Sequence, residues 1–289
     1  MSVLSLLTIL LDGLAFGMAL FVISVGLTIT LGLMRVVNLA HGAFAMIGGY
    51  AGSVALANGA GFALAILIAA LAAGGAGLAA ERLLFRPLYS RGDLPQALMT
   101  FGLTFVVIAT LTILFGTAIR IMPLPPSLAG LVDIGFRAYP AYRLFLIAAG
   151  ALLALLLWLV IDRTMFGARL RAAVDNPRMC RAIGIDVDAI FATTFAAGCA
   201  LAGIGAVLGA QLMPLEPYYA LRYLVLFLIV VGIGGTGDFR GSLVASLVLG
   251  LIDTVGKYFL PGASSYIFFA AVIGLLLWRP RGLVPGPSQ

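Results

Sequence analysis

Histidine, cysteine and lysine are nearly missing from this chain: its 289 residues include one histidine, His41, two cysteines, Cys180 and Cys199, and a single lysine, Lys257. With so few ligands no His/Cys metal site can be assembled. Cys180 falls in a polar loop and Cys199 in an apolar run, too far apart to pair, so no disulfide framework is implied. A nucleotide-binding P-loop requires Gly-Lys-Ser/Thr. Lys257 follows Gly256 but precedes Tyr258, so the chain does not bind ATP in that way. Charge is scarce too, at 10% of residues against about 25% in soluble domains. The N-terminus lacks the basic region of a cleaved signal, and its apolar run continues past signal length, so it reads as an uncleaved first span.

What the chain has instead is apolar length, with 63% hydrophobic residues. A spanning helix needs about 20 of them. Such runs fall near residues 9–33, 43–57, 62–80, 96–115, 143–161, 189–212, 221–232 and 242–256, with a last one ending at Trp278. They are continuous, rich in Gly and Leu, and lack the alternation of a barrel, so the spans are helical. The expected fold is an all-α, polytopic integral membrane protein of about 8–9 transmembrane helices, one membrane domain over residues 1–289. Small residues such as Gly13, Gly17, Gly26 and Gly32 allow helices to approach closely in lipid. Residues 116–142, with Pro123, Pro125, Pro126 and Pro140, are expected to form the longest irregular connection, the proline-rich residues 123–126 serving as a stiff external connector.

The net charge of +6 lies in the joints between spans and forms no basic stripe, so it reports topology rather than nucleic acid. Alternating sides places Arg35, Arg82, Arg86, Arg91, Arg163, Arg169, Arg171, Arg178, Arg181, Arg240, Arg279 and Arg281 on one face. The other face has Arg120, Arg137, Arg143, Arg222 and Lys257. By the positive-inside rule the first face is cytoplasmic, which puts the C-terminus inside. The parity holds if 43–57 is a full crossing.

The one long polar interval, residues 162–186, reads as a handle outside the membrane. Asn176 can N-cap a helix, Pro177 suits its first position, and Gly184 can take the left-handed conformation that ends it. A short helix over 177–183 follows, with Met179, Ala182 and Ile183 on one face and Arg178 and Arg181 off it. An apolar ridge with a basic flank fits docking to a partner; a helix lying on lipid headgroups is the plainer alternative.

Residues 34–50 are too polar at Arg35, Asn38 and His41 for a lipid-facing helix, and should enter the bundle as a short or broken one. His41 reads either as a histidine near the cytoplasmic edge bonded to freed backbone, or, with Asn38, as lining a pathway. The glycine run at 232–241 follows a span rather than a strand, so close backbone approach between two helices explains it better than a dinucleotide fingerprint. Asp253 and Lys257 can pair at i, i+4; a proton relay through Asp253 is the weaker reading. A stand-alone ion-coupled transporter or channel would need Asp253 or His41 deep in the bundle. No nucleophile, base or metal constellation points to an enzyme.

Three stretches carry a resemblance. Arg35-Val36-Val37-Asn38-Leu39-Ala40-His41-Gly42-Ala43-Phe44, the handle with Phe166-Gly167-Ala168-Arg169-Leu170-Arg171-Ala172 and Ile183-Gly184-Ile185, and Gly234-Gly235-Thr236-Gly237-Asp238-Phe239-Arg240-Gly241 resemble permease subunits of bacterial branched-chain amino acid ABC importers, the shorter, LivH-like type. The last stretch departs from the family's Gly-Gly-x-Gly-Ser/Thr pattern at Asp238. The resemblance implies an inner-membrane transport subunit with no cofactor of its own. It also implies a LivM-like sister permease, two cytoplasmic ATPases holding ATP and Mg, and a periplasmic solute-binding protein. Coupling to the ATPases would fall to Gly167, Arg169, Arg171, Asn176, Arg178, Arg181 and Gly184. The pathway would involve Asn38, His41, Gly42, Gly234, Gly235 and Gly237. Branched-chain or related hydrophobic amino acids are the implied cargo.

Overall fold

The computed structural model describes residues 3–34, 38–89, 91–135, 137–235, 238–280 and 282–284. Arg35, Arg281 and Gly237 therefore lie outside the described residues. Helix α1 (Val3–Leu27) continues as a π turn (Thr28–Leu33), and α2 (His41–Ala57), α3 (Phe62–Ala80) and α4 (Asp93–Phe115) follow. Next come α5 (Pro126–Ala129), the strands β1 (Leu131–Asp133) and β2 (Ala138–Pro140), and α6 (Ala141–Arg163). The handle holds α7 (Met165–Asp175) and α8 (Pro177–Ala182); α9 (Val187–Gly209), α10 (Tyr219–Gly234), α11 (Phe239–Phe259) and α12 (Ser264–Trp278) complete the chain. Seven helices among the described residues are long and apolar enough to cross a membrane, and α10 is a shorter apolar one. This is a polytopic all-α membrane protein.

Leu and Ala runs make these helices, and backbone freedom ends them: α2 stops at Gly59 and α4 is bounded by Gly92 and Gly116, all with positive φ. The core is built by small residues. A Cβ on Gly48 of α2 would lie 2.4 Å from Gly203 Cα of α9, and one on Gly203 2.6 Å from the Ala69 carbonyl of α3. The three helices therefore meet backbone to backbone, which suits association in lipid, where packing has no hydrophobic drive. Helix α1 is almost wholly buried from Phe21 to Leu27 and packs against α9 and α11.

Polar pairs mark the two faces. On one, Arg86 pairs with Asp188, Arg240 pairs with Asp162, and the Leu283 N–H donates to Ile233 O at 2.7 Å. On the other, Asp12 meets Arg143 and Tyr139, and Arg120 N–H donates to Leu215 O at 2.8 Å. The handle and the end of α12 share the first face; the start of α1 is on the second. Helix α2 begins part-way through the bundle: His41 Nε2 lies 2.7 Å from Ile23 O, and Gly26, one turn on, faces Gly198 half-way along α9. It ends at the second face, where Arg120 Nη1 donates to Ser53 Oγ at 3.3 Å.

Three expectations need correction. Residues 116–142 are not irregular throughout: α5 and an antiparallel hairpin pairing Val132 with Tyr139 occupy them, with β2 leading straight into α6. The handle has a second helix, α7, before the expected one. His41 is fully buried in the middle of the bundle rather than near its edge.

Candidate functional site

The handle is built on local chemistry. Asn176 Oδ1 accepts the Met179 N–H at 3.0 Å, capping α8, and Pro177 fills the first position. At the other end the Ile185 N–H donates to Cys180 O at 2.9 Å and the Gly184 N–H to Arg181 O at 3.1 Å, with Gly184 at φ +83°. That pairing satisfies two carbonyls that a six-residue helix would otherwise leave open. Asn176→Ala should cost about 1 kcal/mol of local stability. Hydrogen exchange at the amides of 177–183 should accelerate about fivefold, while α9 is unchanged.

Helix α7 seats the handle. Its Leu170 and Ala173 join Cys180, Val187 and Ile190 in a small apolar cluster between α7, α8 and α9. Gly167 lies against the end of α6 so closely that a Cβ there would be 1.8 Å from Ile161 O. That same carbonyl accepts from Arg171 Nη1 at 2.7 Å.

Two carboxylates then tie the handle to the spans. Asp162 receives Arg171, at 3.8 Å, and Arg240 from α11. Asp188 receives Arg181, at 2.9 Å, and Arg86 from the helical turns (Glu81–Leu88) that follow α3. Each acid thus joins one handle arginine to a different span. Sequence reasoning missed Asp162 and Asp188, because partners 78 and 102 residues away leave no local signature.

The handle arginines therefore divide. Arg171 and Arg181 are solvent-accessible but paired, with Asp162 and Asp188. Arg169 and Arg178 are exposed and form no ion pair among the described residues. Beside them stand Met165, Met179 and Ile183, each at least 60% exposed, so the ridge expected at Met179, Ala182 and Ile183 faces outward.

A second polar group lies inside the bundle. Ile23 O can only accept, so His41 Nε2 carries the proton and Nδ1 has no partner. Both amide atoms of Asn38, the hydroxyl of Ser24 and that of Tyr219 are also buried and unpartnered. Phe227 touches the rings of both His41 and Tyr219, and a Cβ on Gly42 would lie 2.8 Å from Ala220 Cα, so His41, the nearby Asn38 and Tyr219 share one region between α2 and α10, beside Ile23 of α1. Buried polar atoms are normally hydrogen-bonded; unpartnered donors and acceptors clustered here can serve a polar solute.

Gly234 and Gly235 are not brought to that region. They end α10 about two turns beyond Phe227, Gly235 at φ +93°, and a Cβ on Gly241 would lie 1.9 Å from Gly234 O. The close backbone approach read from the glycine run is what the joint between α10 and α11 contains. Asp238 caps α11, accepting the Arg240 N–H at 2.9 Å, which gives its carboxylate a structural task. Asp253 binds Lys257 Nζ at 2.6 Å, as the i, i+4 spacing suggested.

Comparisons with known proteins agree on one class. A family model described as "Branched-chain amino acid transport system / permease component" matches residues 9–277. The chain is 27% identical to the high-affinity branched-chain amino acid transport system permease protein BraD of Pseudomonas aeruginosa, over 96% of this chain and 95% of that one. It is 26% identical to LivH of Escherichia coli, a permease protein of the same description, over 96% and 94%. A fructose import permease protein, FrcC of Rhizobium meliloti, is 27% identical over 57% of this chain and 49% of its own. No solved structure matches.

Proposed function

Since the chain belongs to the family of permease components of branched-chain amino acid transport systems, we propose that it is the LivH-like permease subunit of an ABC importer. It works with a LivM-like sister permease, two cytoplasmic ATPases and a periplasmic solute-binding protein. The cargo is a branched-chain or related hydrophobic amino acid, the substrate class in the names of the relatives matched over most of their length. The positive-inside rule puts the handle and the C-terminus in the cytoplasm. ATP and Mg sit on the ATPases, which supply the driving free energy.

The observation that carries this reading is the handle's two-sidedness. Its inner side is fixed to α3, α6, α9 and α11 through Asp162, Asp188, Gly167 and the cluster around Leu170. Its outer side offers Met179 and Ile183 with Arg169 and Arg178. A helix pair so held can fill a groove on the ATPase and pass a displacement to four spans at once. The bundle then switches between outward-open and inward-open states, and Asn38, His41 and Tyr219 offer hydrogen bonds to the passing solute.

A mild-detergent pull-down of a tagged copy expressed from its native operon tests this. P-loop ATPases should co-purify and hydrolyse ATP. Arg169→Glu with Arg178→Glu should lower their recovery at least about tenfold, the equivalent of 1.4 kcal/mol, while leaving Asp162 and Asp188 paired. Undiminished recovery and uptake would remove the coupling role.

A further inference from the structure

At the face opposite the handle, α1, α6 and α11 line an open cavity of about 690 Å³ beside the β1–β2 hairpin. That is within the roughly 300–1,000 Å³ of small-molecule sites. Its wall combines three cations, Arg137, Arg143 and Lys257, with two carboxylates, Asp12 and Asp253. The apolar lining comes from Ile9, Phe16, Leu131 and Leu212.

The pairing within this set leaves particular atoms free. Tyr139 OH, at 2.6 Å, and Arg143 both donate to the same oxygen of Asp12, Oδ1, so Oδ2 has no partner among the described residues. Lys257 donates to Asp253 Oδ2 and its ammonium lies 5.1 Å from the Phe16 ring centre, leaving Asp253 Oδ1 open. Arg137 forms no side-chain bond or ion pair among the described residues, yet lines the same space. It stands in the bend just before β2, on the cavity wall beside Tyr139 and Asp12. Burial, then the bond to Asp12, raises the Tyr139 phenol above its usual range, so it stays a donor.

We propose that this cavity is a binding site for a zwitterionic amino acid with an apolar side chain. Arg137 holds the α-carboxylate, Asp12 Oδ2 and Asp253 Oδ1 hold the α-ammonium, and the Ile9, Phe16 and Leu212 side takes the side chain. Charge-assisted bonds to both termini are the stronger kind, and a ligand lacking either terminus leaves one set of wall charges unanswered. The site deepens the importer reading, on which its cargo class rests, by giving the permease its own affinity on the outer face.

Equilibrium binding of tritiated leucine to the full chain in nanodiscs, without binding protein or nucleotide, tests the site. Saturable binding is expected. Leucinamide, which lacks the carboxylate, and 4-methylpentanoate, which lacks the ammonium, should each compete at least tenfold more weakly than leucine. Arg137→Gln and Asp253→Asn should each raise Kd about tenfold. Absence of saturable binding, equal competition by the two analogues, or unchanged Kd in both variants would overturn the proposal. So would variants that reduce stimulation by the binding protein while leaving leucine affinity intact, since the pocket would then be a protein-docking surface. Uptake by the assembled complex separates this from the importer reading. Unchanged Kd for leucine in both variants, with ATP-dependent uptake intact, removes the site and leaves the importer, whereas leucine binding without ATP-dependent uptake leaves the site and removes the importer.

Discussion

Replacing Gly167 by alanine is expected to reduce ATP-dependent uptake at least tenfold while the protein still reaches the membrane. The added methyl would sit 1.8 Å from Ile161 O and 2.6 Å from the carbonyl carbon, both main-chain atoms that no rotamer change can move aside. Relief requires α7 to lift off the end of α6. The bond from Arg171 to Ile161 O and the shared contact at Asp162 are then lost together. Overpacking of this kind costs about 1–3 kcal/mol, a modest fraction of what holds the bundle, but it falls wholly on the seat that fixes the handle's direction. Immunoblots of membranes should show near-normal abundance, and ATPase recovery should fall with uptake. Normal uptake at normal abundance would mean that the angle of α7 is not used.

The second large effect is expected at Gly26. A methyl there would lie 2.1 Å from Gly198 O in α9 and 3.0 Å from His41 Cε1, so Gly26→Ala pushes α1 from α9 and displaces His41 from Ile23 O. The same roughly 1–3 kcal/mol applies, and at about 2–4 °C per kcal/mol for a chain of this size the melting midpoint in detergent should fall by several degrees. Gly232→Ala is the control, because nothing lies within 4 Å of its added carbon. Equal midpoints for the two variants would contradict the tight α1–α9 crossing. A drop at Gly26 accompanied by lost uptake, even at low temperature where the fold persists, would tie His41 to transport.

The parts that could be read from sequence are those decided within one or two turns of chain. Asn176, Pro177 and Gly184 delimit α8 because a cap and a left-handed stop are local events, and Asp253 meets Lys257 because four residues make one helical turn. Helix α7 was hidden by its arginines: Leu170 and Ala173 share a face, but Arg169 and Arg171 made the stretch look like solvated loop. Tyr139 and Val132 pair in strands of three residues, too short for alternation to register among prolines. The depth of His41 depends on where α2 meets α1, at Ile23 O, and the union of Asp12 with Arg143, 131 residues apart, depends on the whole arrangement of helices. Composition could place charges at a face, but only the fold could say which arginines are consumed there and which remain.

The packing of α1 against α11 also bears on how the protein is made. The hydroxyls of Thr28 and Ser242 meet across a separation of 214 residues, and Gly13 and Gly17 are shaped to receive Leu251 and Leu247. At roughly 5–20 residues per second of synthesis, α1 has been in the bilayer for about 10–40 s before its principal partner emerges from the ribosome. Helix α1 is made long before the neighbour it packs against most closely.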